Sequence, residues 1–82
     1  MFYVYYLIST VNKDLYIGST NNIKNRFIKH NKGKVGSTKA YKPWKMLGYE
    51  SFSTRSEAMR RERFLKTHQQ KDLLRERFNL AS

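Results

Sequence analysis

Five side chains carry the chemical interest of this 82-residue chain: Tyr5, Tyr16, Arg26, His30 and Glu62. Tyr5 and Tyr16 fall in two short apolar runs that read as the paired strands of a hairpin, where two rings can lie near each other. Ordinary aromatic packing gives that pattern, and so do two phenols facing a site. Arg26 and His30 are four residues apart on a predicted helix and share one stripe. Arg26 adjoins Phe27, at the edge of the buried face, from which a planar guanidinium can meet a phosphate over the sheet. A solvated helix face has the same spacing. Glu62 stands four residues after Ala58 and three before Leu65, in a stripe that also takes in Met59, so it points to the core side. A carboxylate there needs a partner. That partner is a divalent metal, or a salt bridge to Arg61 or to Lys66 at i+4. A site with a single protein carboxylate suits Mg²⁺, which keeps several waters and lets phosphate oxygens complete its shell. The chain has no HExxH motif, EF-hand loop, Cys/His cluster or P-loop. Its two histidines, His30 and His68, support no Ser/His/Asp arrangement.

The elements that must position these residues follow from the pattern. Residues 2–8 are aromatic and β-branched and predict a strand. Alternation puts Tyr3, Tyr5 and Leu7 on one face, with Phe2, Val4, Tyr6 and Ile8 on the other. Asn12-Lys13-Asp14 has turn chemistry, and Leu15-Tyr16-Ile17 returns as the second strand. Gly18-Ser19-Thr20-Asn21 ends it and offers N-caps for a helix of about ten residues carrying Ile23 and Phe27. Residues 31–37 predict a flexible basic loop. Pro43 precedes a third strand from about Trp44 to Phe52. Thr54 and Glu57 form a capping-box pair for a helix running to about Thr67. A last helix is expected from Gln70 to Phe78. The sum is one domain over residues 1–82, of α+β class. It has a three-stranded, largely antiparallel sheet flanked by helices, in the order β-β-α-β-α-α.

Seventeen Lys and Arg against six Asp and Glu give a net charge of +11. Such an excess repels itself in the folded state and is relieved by a polyanion. No acidic residue lies between Asp14 and Glu50, a span holding Lys24, Lys39 and Lys42 among its cations. Nucleic acid, DNA foremost, is the expected partner. No apolar run nears the roughly 20 residues of a membrane span, and the start has no basic segment ahead of its apolar stretch. The cytoplasm is the expected location, with no membrane partner. With no cysteine, a disulfide framework and thiolate metal sites are excluded.

In order, Tyr3-Val4-Tyr5, Tyr16-Ile17-Gly18, Arg26, His30, Asn31, Gly33, Thr38, Pro43-Trp44, Phe52 and Glu57 through Lys66 resemble the GIY-YIG endonucleases. The likeness is to their small stand-alone bacterial type, related to the nuclease module of the excision-repair endonuclease, and runs from Phe2 to about Leu74. Tyr3 replaces the glycine of the first motif. The resemblance implies the fold above and a metal-dependent endonuclease. Backbone contacts read no bases, so structure-selective cleavage with little sequence preference is expected. Tyr5 matches the first-motif tyrosine and Tyr16 the second. Arg26 matches the arginine that holds the scissile phosphate, His30 a histidine that assists, and Glu62 the glutamate that holds one Mg²⁺ or Mn²⁺. Tyr5 is the expected general base, helped by surrounding positive charge. Lys24, Thr38, Lys39 and Lys42 are expected to touch the phosphate backbone. A partner protein or a second copy is expected to supply target choice. A binding module with the same fold and no catalysis is the alternative.

Overall fold

The computed structural model describes residues 1–80. Strands β1 (Phe2–Ser9), β2 (Leu15–Thr20) and β3 (Trp44–Phe52) form one antiparallel sheet in the order β2-β1-β3. Helix α1 (Ile23–Asn31) connects β2 to β3, and α2 (Arg55–Leu65) and α3 (His68–Arg77) follow β3. This is the α+β order read from the pattern.

Strand β1 lies between two partners, and Val4 through Ser9 are all buried. Because successive side chains alternate, this one strand feeds two cores. Val4 and Tyr6 join Leu15 and Ile17 against Ala58 and Leu65 of α2 and Leu74 of α3. Tyr5 and Leu7 face the other way and pack with Trp44, Tyr16, Phe27 and Met46. A register shift between Tyr6 and Leu7 in the pairing with β3 keeps both sets in phase. The hairpin closes where expected: Asn12 Oδ1 accepts from the Asp14 N–H at 3.0 Å, and Lys13 takes φ 64°.

Several boundaries differ from the sequence reading. Strand β2 continues to Thr20, and the cap of α1 is Asn22, whose side chain accepts from the Asn25 N–H. The capping box of Thr54 and Glu57 forms as predicted. Helix α3 begins at His68, two residues early, behind Thr67 at its N-cap. The stretch before Pro43 contains a short 3₁₀ turn, Lys39–Tyr41, that no periodicity announced. Met59 is 38% exposed, so the inward stripe of α2 is Ala58 and Leu65 without it.

One side chain locks α1 to β3. Asn31, at the end of α1, accepts from the Trp44 N–H at 2.6 Å and donates to the Trp44 carbonyl at 3.1 Å. The Trp44 indole N–H donates to the Thr38 carbonyl at 2.9 Å. The loop from 32 to 43 is thereby gathered under α1. Removing Asn31 leaves a partly buried backbone donor and acceptor without partners, at about 1–3 kcal/mol. Asn31→Ala is therefore expected to lower the unfolding free energy by that amount, read as a lower urea midpoint at unchanged m-value, whereas Asn25→Ala, on the exposed side of α1, changes it little.

Candidate active site

Tyr5 pairs with Gly18 across the hairpin, and Leu7 pairs with Tyr16, so the two phenols share the α1 face of the sheet. Their ring centroids are 6.2 Å apart. The Tyr5 hydroxyl lies directly over Gly18: a Cβ added there would sit 2.6 Å from the Tyr5 oxygen and 3.0 Å from Tyr16 Cε2. Only a residue with no side chain lets the phenol reach this position. Gly18→Ala is expected to displace the Tyr5 ring and cost about 1–3 kcal/mol, the range for forcing atoms into a packed interior. Thermal melting reads the loss, and the Tyr5 ring resonances should shift with it.

His30 comes from α1 to meet Tyr5. Its side chain is fully buried, with Nε2 2.9 Å from the Tyr5 hydroxyl and Nδ1 2.8 Å from Thr38 Oγ1. Thr38 Oγ1 also donates to the Val35 carbonyl at 3.4 Å. One proton assignment satisfies every member: Tyr5 O–H donates to Nε2, Nδ1–H donates to Thr38, and Thr38 donates onward. The imidazole is then neutral. Burial, with Arg26 adding to it, lowers its pKa from 6.5 to about 4.

That depression fixes a pH dependence. Below about pH 6.5 the unfolded chain takes up a proton at His30 that the folded chain refuses until about pH 4. The contribution is whole above pH 6.5 and is lost as pH falls through this window, up to about 3 kcal/mol for a shift of this size. Urea unfolding at pH 7.5 and 5.0 should show the drop in the natural chain. In His30→Gln the part of the drop due to this residue should vanish.

Two expectations change here. Thr38, predicted to touch phosphate, is completely buried and spends its hydroxyl on His30 and Val35, so that contact is closed to it. Tyr5, expected to gain phenolate character, has its pKa raised to about 12. Burial opposes the charged phenolate more strongly than Arg26 favours it, and Tyr16 and Glu62 add to the rise. Tyr5 holds its proton at neutral pH.

Arg26 stands beside both phenols, Tyr5 foremost, and both favour its charged form. It lines a cleft of ≈ 250 Å³ with Ser19, Thr20, Asn21, Arg55 and Ala58. Glu62 reaches the same region from α2. Ser19 faces α2 because it pairs with Val4, and its hydroxyl donates to Glu62 Oε1 at 2.5 Å. Lys66 Nζ lies 2.7 Å from Glu62 Oε2, so the i+4 salt bridge does form. The other proposed partner, Arg61, pairs with Glu50 instead. Burial alone would raise the Glu62 pKa, but Lys66 and Ser19 outweigh it and hold the carboxyl below its ordinary value. Glu62 is thus ionised at neutral pH.

The phenols lie on one face of the sheet and the carboxylate on the other. The edge strand β2, with Ser19 on one face and Tyr16 on the other, links them. The cleft wraps its rim, lined by Arg26 from one side and by Ser19, the residue holding Glu62, from the other. Tyr5, Tyr16, Arg26 and His30 are brought together, and Glu62 is near enough for its charge to act on Tyr5. Lys24 lines a neighbouring groove with Tyr3 and Tyr49. Lys39 and Lys42 are exposed at the 3₁₀ turn and do not line the cleft. Ser19 and Asn31 had no role assigned from sequence. Strand alternation opposite Val4 was the available signal for Ser19.

Arg26 and Ser19 line the cleft, with Tyr5, Tyr16 and His30 beside Arg26 and Glu62 held by Ser19, on a β-β-α-β-α-α frame. Residues 1–78 match the family model described as the GIY-YIG catalytic domain, and the chain belongs to the GIY-YIG family. Its relatives are small bacterial proteins of the group called UPF0213. One from Staphylococcus haemolyticus is 38% identical over 71 residues, covering 85% of this chain and 87% of the relative. YazA of Bacillus subtilis is 36% identical over 72 residues, covering 84% and 73%. The solution NMR structure of a UPF0213 protein from Bacillus halodurans superposes with a TM-score of 0.56 at 31% identity, covering 90% of this chain and 82% of that one.

Proposed function

We propose that this chain hydrolyses a phosphodiester of nucleic acid, DNA foremost, with one Mg²⁺ or Mn²⁺ held at Glu62. The observation that carries the reading is an arginine beside two phenols, at an edge strand whose Ser19 holds an ionised carboxylate. Among the described residues no group of three or more His, Cys, Asp and Glu could cage an ion. The donor set is therefore one carboxylate with hydroxyls nearby. That fits Mg²⁺ or Mn²⁺ carrying waters and phosphate oxygens, and does not fit a structural zinc or a calcium loop. Each Glu62 oxygen has one hydrogen-bonded partner and retains a further acceptor position. The ion would supply Lewis-acid polarisation of the phosphate and stabilisation of the leaving oxygen.

The protein's own groups divide the remaining work. Arg26 binds the scissile phosphate and neutralises its growing charge. Tyr5 takes the proton of the attacking water while its own passes to His30 Nε2, a path laid out by the 2.9 Å contact. This assignment suits the raised Tyr5 pKa, because no free phenolate is required. A phosphate beside Arg26 offsets the positive charge that helps depress His30, so substrate binding itself makes the imidazole a better acceptor. Tyr16 positions the water or the phosphate. The basic surface meets the phosphate backbone, so sequence preference is weak and salt dependence strong.

Cleavage of nicked, branched and single-stranded oligonucleotides in Mg²⁺ or Mn²⁺ tests the proposal. Glu62→Gln should lose at least about 100-fold in cleavage rate, the scale for one electrostatic contributor, while keeping its affinity for nucleic acid. Binding without cleavage by the natural chain on all three substrates would leave a non-catalytic binding module.

A further inference from the structure

Beside the cleft lies a second feature that the hydrolytic reading does not use. Tyr49 is 59% exposed, high for so large an apolar ring. It pairs with Tyr5 across β1 and β3, so both project from the same face of the sheet. Tyr3, also on that face, meets Tyr49 with ring centroids 5.9 Å apart and planes at 76°. This edge-to-face contact leaves Tyr49 more than half exposed. The rings and the start of α1 bound an open groove of ≈ 400 Å³, lined by Tyr3, Tyr49, Lys24, Asn21, Asn22 and Ile23. Among the described residues Lys24 is the charged group lining it, and no carboxylate does. Asn21 lines both this groove and the Arg26 cleft, so the two adjoin.

A single exposed aromatic is common and by itself means little. Here an exposed ring, a cation and amide groups border the cleft that Arg26 lines. Aromatic rings beside a basic backbone track are how proteins hold unstacked bases, since every base offers a π-face whatever its identity. We propose that the Tyr3–Tyr49 groove is a nucleobase subsite. The ring of Tyr49 stacks on a base flanking the phosphate held at Arg26, and Lys24 contacts that nucleotide's own phosphate. The occupant is thus a nucleotide whose base has left its helical stack, and the site gives structural selectivity without reading sequence. The inference rests on the nucleic-acid reading above.

The test separates the two. A fluorescein-labelled 12-nucleotide oligothymidine and an abasic 12-mer with the same phosphates are titrated, without divalent ions, against the natural chain, Tyr49→Ala and Tyr49→Trp. The natural chain should bind the oligothymidine about 10-fold more tightly than the abasic strand, within the range for stacking one base on an aromatic ring. Tyr49→Ala should bring the two affinities together by weakening only the base-bearing strand. Tyr49→Trp should keep the preference, and its indole fluorescence should be quenched by the oligothymidine and not by the abasic strand. If the natural chain binds neither strand, the nucleic-acid reading fails. If it binds both equally, or if Tyr49→Ala keeps the full preference, or if the Tyr49→Trp signal is unmoved by bases, nucleic-acid binding stands and the subsite is overturned.

Discussion

The phenol of Tyr5 is almost wholly buried, and one imidazole accepts its proton. Around that single contact the α1 side of the molecule is arranged. Gly18 clears the space above the ring, and His30 supplies the acceptor from α1. Thr38 fixes which nitrogen carries hydrogen, and Asn31 and Trp44 hold the loop that delivers Thr38. A buried hydroxyl left without a partner costs more than the bond contributes when made. The loop and the helix end are therefore as much part of the arrangement as the ring itself. The same burial that makes the contact strong also makes phenolate unfavourable, which is why proton transfer here is better assigned to a pair than to Tyr5 alone.

On the opposite face a second phenol is handled differently. Tyr6 donates to Glu50 Oε2 at 2.5 Å, and Arg61 Nε closes on Oε1 at 2.9 Å. Burial, and then the bond to Glu50, push Tyr6 up to about 12. Desolvation would raise Glu50, but Tyr6 and Arg61 reverse it and leave the carboxyl below its usual range. This network is charged and half-buried, on the sheet face opposite Tyr5. It ties β3 to α2, and α2 is the helix that carries Glu62. Two consecutive tyrosines in one strand thus serve separate purposes because the strand alternates and both of its faces are covered.

Much of this was legible in the residues, for identifiable reasons. The aromatic and β-branched runs, the Asn12 turn and the Thr54 capping box are local signals, and each has its counterpart in the fold. The gathering of Tyr5, Tyr16, Arg26 and His30 was legible too, because two strands and the helix directly after them must bring these residues together. What escaped were contacts closed by the loop from 32 to 43. Three residues of 3₁₀ turn carry no period, so nothing in the chain indicated that Thr38 would be turned inward onto His30. Helical arithmetic on α2 misjudged Met59, because a narrow stripe on a two-sided sheet needs only Ala58 and Leu65. The sign of the Tyr5 shift escaped as well. Net charge is visible in a sequence, whereas desolvation depends on how deeply a ring is covered.

The adjacency of Tyr5 and Tyr6 has a consequence for how this sheet finds its alignment. Sliding β1 by one position would exchange every side chain between the two faces. The hydroxyl meant for an imidazole would then arrive on the carboxylate side, and the one meant for a carboxylate beneath α1. Apolar neighbours such as Val4 and Leu7 could tolerate that exchange in part, as grease for grease. The two hydroxyls could not, since each would lose an acceptor placed for it alone. Polar groups set side by side in the middle strand thus act as a proofreading mark, making the misaligned hairpin the less stable one.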